Sequence, residues 1–100
     1  MNTVQLAKVL KALSHPNRLE LYLEIAKKQE TSFESECECF IHDIMKSLKI
    51  GAPTVSHHLK ELANADLIIT ERQGKYLKAK INETTISEVI RALSVVSNTY

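Results

Sequence analysis

A mostly helical α+β architecture, a winged helix-turn-helix with five helices and a two-stranded wing, is what this 100-residue chain predicts. Three observations lead there. Residues 48–62, Leu-Lys-Ile-Gly-Ala-Pro-Thr-Val-Ser-His-His-Leu-Lys-Glu-Leu, read as one helix ending, a turn, and a second helix opening on small polar and imidazole groups. A DNA-reading helix is introduced in this way. An apolar-periodic segment (Ile41, Ile44, Met45, Leu48) precedes that stretch, and a basic hairpin over residues 67–81 follows it.

The elements follow in chain order. Residues 3–13 form a first helix with Val4, Ala7 and Leu10 at helical spacing. Ser14-His15-Pro16 interrupts it, and Pro16 suits the first turn of the next helix, where a missing N–H has no helical partner to lose. His15 is read as a residue of that helix start. The second helix runs to about Lys28, with Leu19, Tyr22, Leu23 and Ala26 as an apolar face for the core, and residues 29–36 form a polar loop. A third helix spans about Cys39 to Leu48 and a fourth about Ala52 to Ala65. Leu67–Arg72 and Lys75–Ile81 are strands around a Gln73-Gly74 tip, glycine supplying the positive φ. Leu77, Ala79 and Ile81 alternate with Tyr76, Lys78 and Lys80, so one face covers the core and the other can meet phosphate. The last helix begins at Thr85-Ile86-Ser87-Glu88, a capping-box spacing, and continues through Val89, Ile90, Leu93 and Val96.

Composition narrows the function classes. At 44% hydrophobic content, residues 1–100 make one domain with an ordinary core. No run approaches the roughly 18 apolar residues that cross a bilayer, and Lys8 and Lys11 break any signal-peptide apolar region, so the expected address is cytoplasmic, away from membranes. The net charge of +1 hides a division. From Glu30 to Asp43 there are five acidic side chains and no Lys or Arg; from Lys46 to Lys80 there are seven basic and three acidic ones. One region suits cations and the other phosphates. The chain has no glycine-rich phosphate loop and no nucleophile with an oriented base, so it is not expected to be an enzyme.

Leu13-Ser14-His15-Pro16-Asn17-Arg18-Leu19, Cys37-Glu38-Cys39, Thr54-Val55-Ser56-His57-His58-Leu59-Lys60-Glu61-Leu62 and the wing together resemble the ArsR/SmtB family of small winged-helix repressors responsive to metals and metalloids, over nearly the whole length. The resemblance implies a homodimer on double-stranded operator DNA. Thr54, Val55, Ser56, His57, His58 and Lys60 of the recognition helix are then the DNA-binding candidates, with Arg72, Lys75 and Lys78 of the wing on phosphates. Adjacent residues point about 100° apart on a helix, so one of His57 and His58 meets DNA while the other packs at the helix edge. The terminal helices, 3–13 and 85–97, form the dimer interface, through Val4, Ala7, Leu10, Ile86, Val89, Ile90 and Leu93. Where many relatives have a serine and then a polar residue at the recognition-helix start, this chain has Gly51 and Ala52. Glycine caps nearly as well as serine.

The inducer is read from Cys37-x-Cys39-x-x-His42. Relatives that sense arsenite or soft divalent ions carry a Cys-x-Cys pair at the start of the third helix, and some arsenite sensors have a third cysteine where His42 stands. Thiolates suit soft ions, and two thiolates with one imidazole suit Zn(II) or Cd(II) better than arsenite. The Asp and His ligands that many relatives place on the last helix are absent, because residues 84–98 contain no His, Asp or Cys. The expected function is therefore a repressor released by a thiophilic metal or metalloid ion at Cys37, Cys39 and His42. A repressor sensing oxidants or reactive sulfur through the same cysteines, or one without a small inducer, is the alternative.

Overall fold

A computed structural model describes residues 1–31, 41–48 and 51–97. Within them lie α1 (Thr3–Leu13), α2 (Pro16–Thr31), α3 (Ile41–Leu48), α4 (Ala52–Asn64), β1 (Ile68–Gln73), β2 (Tyr76–Ile81) and α5 (Glu83–Leu93), followed by a 3-10 turn at Ser94–Val96. This is the expected order of helices and wing.

The local chemistry sets each boundary. Asn2 and Gln5 form a reciprocal cap on α1: the Gln5 N–H donates to Asn2 Oδ1 at 2.8 Å and the Asn2 N–H to Gln5 Oε1 at 3.0 Å. Ser14 ends the helix by donating its hydroxyl to the Lys11 carbonyl at 2.7 Å. Pro16 is the first residue of α2, as expected. That helix continues to Thr31, past the expected end at Lys28, because Gln29, Glu30 and Thr31 include neither glycine nor proline to stop it. Gly51 caps α4 in an extended conformation (φ −65°, ψ 150°), and the Val55 N–H donates to its carbonyl at 3.0 Å.

α4 ends in a Schellman motif. The Leu67 N–H donates to the Leu62 carbonyl and the Asp66 N–H to the Ala63 carbonyl, both at 3.0 Å, and Asp66 takes φ 60° where glycine is the usual occupant. The fully buried Leu62 and Leu67 supply the apolar contact that accompanies this cap.

The antiparallel hairpin pairs Ile68 with Ile81, Thr70 with Ala79, Arg72 with Leu77 and Gln73 with Tyr76. Its tip is therefore Gly74-Lys75, one residue later than expected, with Gly74 at φ 64°. The Asn82 N–H donates to the Leu67 carbonyl at 3.0 Å, which closes the hairpin base. α5 then begins at Glu83, ahead of the Thr85 start that the capping-box spacing predicts. Thr85 is buried inside the first turns, so that spacing is not the cap.

The core is centred on α2, through Leu21, Tyr22 and Ile25; Leu19 and Leu23 are exposed, which corrects their assignment to the core face. Leu21 and Ile25 of α2, Ile44 of α3, Val55 and Leu62 of α4, and Leu67 are the largest fully buried side chains. Val9 and Ala12 of α1, Ala79 of β2 and Val89 of α5 complete it. Val89 therefore belongs to the subunit core, which corrects its assignment to a dimer surface. Val4, Leu10, Ile90 and Leu93 remain exposed.

Candidate nucleic-acid interface

α4 has two sharply different faces. Val55, His58, Leu59, Leu62 and Ala65, spaced at three and four residues, are buried, whereas Thr54, Ser56, His57 and Lys60 are exposed. The helix is held from behind by α2, α1 and β1, so the polar stripe is presented on a rigid support. Of the six recognition-helix candidates, these four stand at the surface. Val55 and His58, at 1% and 3% exposure, do not; they belong to the core, which corrects their inclusion. The cause is periodicity, since both fall on the stripe that Leu59 and Leu62 continue.

The wing divides the remaining candidates. Cross-strand partners share a face, so Arg72 lies with Leu77, Ala79 and Ile81, while Lys78 lies opposite Glu71 on the face that carries Lys80 and Tyr76. Arg72 and Lys78 thus point to opposite sides of the ribbon. Lys75, at the tip, sits with its ammonium 5.6 Å from the centre of the Tyr76 ring, a cation–π contact that orients it. Lys80 is exposed beside Lys78, on the face that the period-2 alternation of Tyr76, Lys78 and Lys80 predicts.

Behind the stripe, His58 is in an unusual position. Its ring lies 4.8 Å from that of His15 and 6.0 Å from that of His57, and neither of its nitrogens has a hydrogen-bond partner among the described residues. Burial pushes its pKa below the ordinary imidazole value, and the neighbouring His15, Arg18 and His57 act in the same direction. His58 is therefore a neutral side chain in the wall of the helix-turn-helix. His15, expected only as a helix-start residue, is also its ring partner.

Cys37 and Cys39 lie outside the described residues, as does the side chain of His42, whose backbone begins α3 beside Ile41. Among the described residues no group of three or more His, Cys, Asp or Glu is arranged to hold a metal ion. No helix among them is long and apolar enough to cross a membrane.

Fold and interface together define a DNA-binding regulator of the winged helix-turn-helix class. Comparison with known proteins makes the family explicit. Residues 35–70 match the model for "Bacterial regulatory protein, arsR family". An HTH-type transcriptional regulator of Methanocaldococcus jannaschii is 31% identical over 85% of this chain and 86% of its own length. The arsenical resistance operon repressor of Staphylococcus aureus is 28% identical over 97% of this chain and 85% of its own. The solution structure of a homodimeric winged helix-turn-helix DNA-binding domain from Mycobacterium bovis superposes with a TM-score of 0.68 at 22% identity, covering 94% of this chain and 79% of that one. The chain belongs to the ArsR/SmtB family, a family of DNA-binding transcriptional regulators rather than enzymes.

Proposed function

We propose that this protein is a homodimeric transcriptional repressor that binds double-stranded operator DNA and leaves it when a thiophilic metal or metalloid ion engages Cys37 and Cys39, with His42 as a third donor. The observation that carries the DNA half of this reading is the exposed polar stripe Thr54, Ser56, His57 and Lys60 on a helix whose opposite face is buried in the core. A two-fold pair of such helices would meet successive major grooves about 34 Å apart, with Arg72, Lys75 and Lys78 near flanking phosphates. A cytoplasmic setting suits both the DNA and the reduced thiols.

The donor set supports the inducer half. Two thiolates and an imidazole fit Zn(II) or Cd(II), with a fourth donor from Asp43, Glu36, water or the second subunit; arsenite would rest on the thiolates. When bound, such an ion supplies a strong, charged cross-link between its donors. The run of carboxylates from Glu30 to Asp43 raises the local concentration of cations. The arsenical-resistance name of the Staphylococcus aureus relative points toward the same chemistry.

Operator affinity of alanine variants, measured against salt and against altered sequences, tests the DNA half. Ser56→Ala and His57→Ala should change sequence preference, because they remove groups aimed at base edges. Lys75→Ala should weaken all sequences alike and reduce the salt slope by about one unit. A Lys75→Ala protein with altered preference and an unchanged salt slope would remove the wing from the phosphate backbone.

A further inference from the structure

A cavity of about 250 Å³ lies where α1, the start of α2 and the last turn of α4 meet, lined by Lys8, Lys11, Arg18, Glu61 and Asn64 around Ala12 and Ala65. Its chemistry is unbalanced. Three cations face one carboxylate, and none of the three pairs with Glu61 within 4.0 Å. Arg18 sends one terminal N–H to the Ala12 carbonyl at 3.2 Å. Its Nε is buried with no acceptor among the described residues. A guanidinium and two ammonium groups set around one carboxylate leave the wall of this cavity positive.

We propose that this cavity is a binding site for a small dianion that carries a hydroxyl, of the hydrogen-phosphate or hydroxydicarboxylate class, held by Arg18, Lys8 and Lys11. The charge count favours a dianion, since three positive groups against Glu61 leave two unbalanced. The volume of about 250 Å³ suits a small ligand, since drug-sized molecules need roughly 300 Å³ or more. Glu61 adds selectivity: a carboxylate in the wall accepts a hydrogen bond from a ligand hydroxyl and repels a ligand without one. A phosphodiester of the DNA backbone has no such hydroxyl, whereas hydrogen phosphate does. The occupant would join α1 to the final turn of the recognition helix through α2, so its binding is linked to the placement of α4. This site is lined by no cysteine and does not depend on an ion at Cys37 and Cys39.

Inorganic phosphate titrated into the full-length protein at constant ionic strength, balanced with chloride, is the test. Thermal unfolding and amide NMR shifts are the readouts. The wild type should show a saturable rise in Tm, with shifts grouped at Lys8, Lys11, Ala12, Arg18 and Asn64. Lys8→Gln/Lys11→Gln changes two exposed residues and should fold normally while weakening phosphate at least tenfold. Arg18→Lys should weaken it too, with the unfolding midpoint in chloride alone reporting any structural cost. An equal Tm rise in chloride, an unchanged response in the double variant, or shifts centred on His57 and Lys75 would overturn the proposal. So would loss of operator affinity and salt slope in the double variant with no free-phosphate binding by the wild type, which would give the cavity to the DNA backbone.

Discussion

His58 shows at the level of one residue how a sequence motif divides between surface and core. Of two adjacent histidines, His57 is exposed and His58 is almost fully enclosed, with His15 against its ring. The information was present in the sequence, since His58 stands three residues after Val55 and four before Leu62, on the apolar stripe. One of the two was expected to pack and the other to meet DNA, and the stripe assigns the buried place to His58, since a neutral imidazole can occupy a core site that a charged one cannot. The consequence is a pH dependence of definite sign. The folded-state pKa of His58 is lowered, so on acidification the unfolded chain takes up this proton first. Its contribution to stability is whole above the ordinary imidazole value of about 6.5 and is lost as pH falls toward the folded-state value. Urea midpoints should therefore drop between pH 7.5 and 5 in the wild type and more shallowly in His58→Leu. Parallel profiles for the two proteins would mean that His58 is not the group responsible.

The elements were legible wherever capping and periodicity agreed, and obscured where tertiary hydrogen bonds chose the boundary. The start of α2 at Pro16 and the Gly51 cap of α4 follow from local chemistry alone. The start of α5 does not: the Asn82 N–H is drawn to the Leu67 carbonyl, and the helix opens directly behind it. Likewise the end of α4 depends on Asp66 adopting φ 60°, a conformation that nothing in Ala-Asp-Leu announces. L-residues are strained there and glycine is not. Asp66→Gly should raise stability by about 0.5–1 kcal/mol, read from the urea midpoint, while Asp66→Ala should lower it. Equal stabilities for the three proteins would argue that Asp66 makes a compensating contact. In the wing, alternation gave the core face correctly, but Arg72 and Lys78 were grouped together because the register was unknown; pairing of Arg72 with Leu77 separates them.

At the scale of the whole molecule, the apolar side chains left uncovered are the guide to assembly. Val4 and Leu10 of α1, Ile90 and Leu93 of α5, and Val95 and Val96 beyond it are exposed, some by more than three quarters of their surface. Residues of both helices, Gln5 and Val9 of α1 and Thr85 and Glu88 of α5, line one crevice. Apolar surface of this extent on a small domain calls for a partner, and a two-fold copy satisfies it. Leu93→Glu should shift sedimentation from dimer to monomer and abolish operator binding; a monomeric wild type at micromolar concentration would contradict the dimer. The surplus of apolar residues on the terminal helices was readable from the sequence, but Val89 was not separable from it, because one face of α5 serves the core and another the exterior. The inducer site is the part for which sequence chemistry alone speaks, since Cys37 and Cys39 fall outside the described residues. The most direct test of the repressor reading is operator release titrated with arsenite, Zn(II) and Cd(II) for the wild type, Cys37→Ser and Cys39→Ser, under reducing conditions. The wild type should release DNA at a stoichiometric ion concentration, and both serine variants should hold DNA with nearly wild-type affinity while losing that response. Release of both variants at the wild-type dose would show that these cysteines are not the sensor.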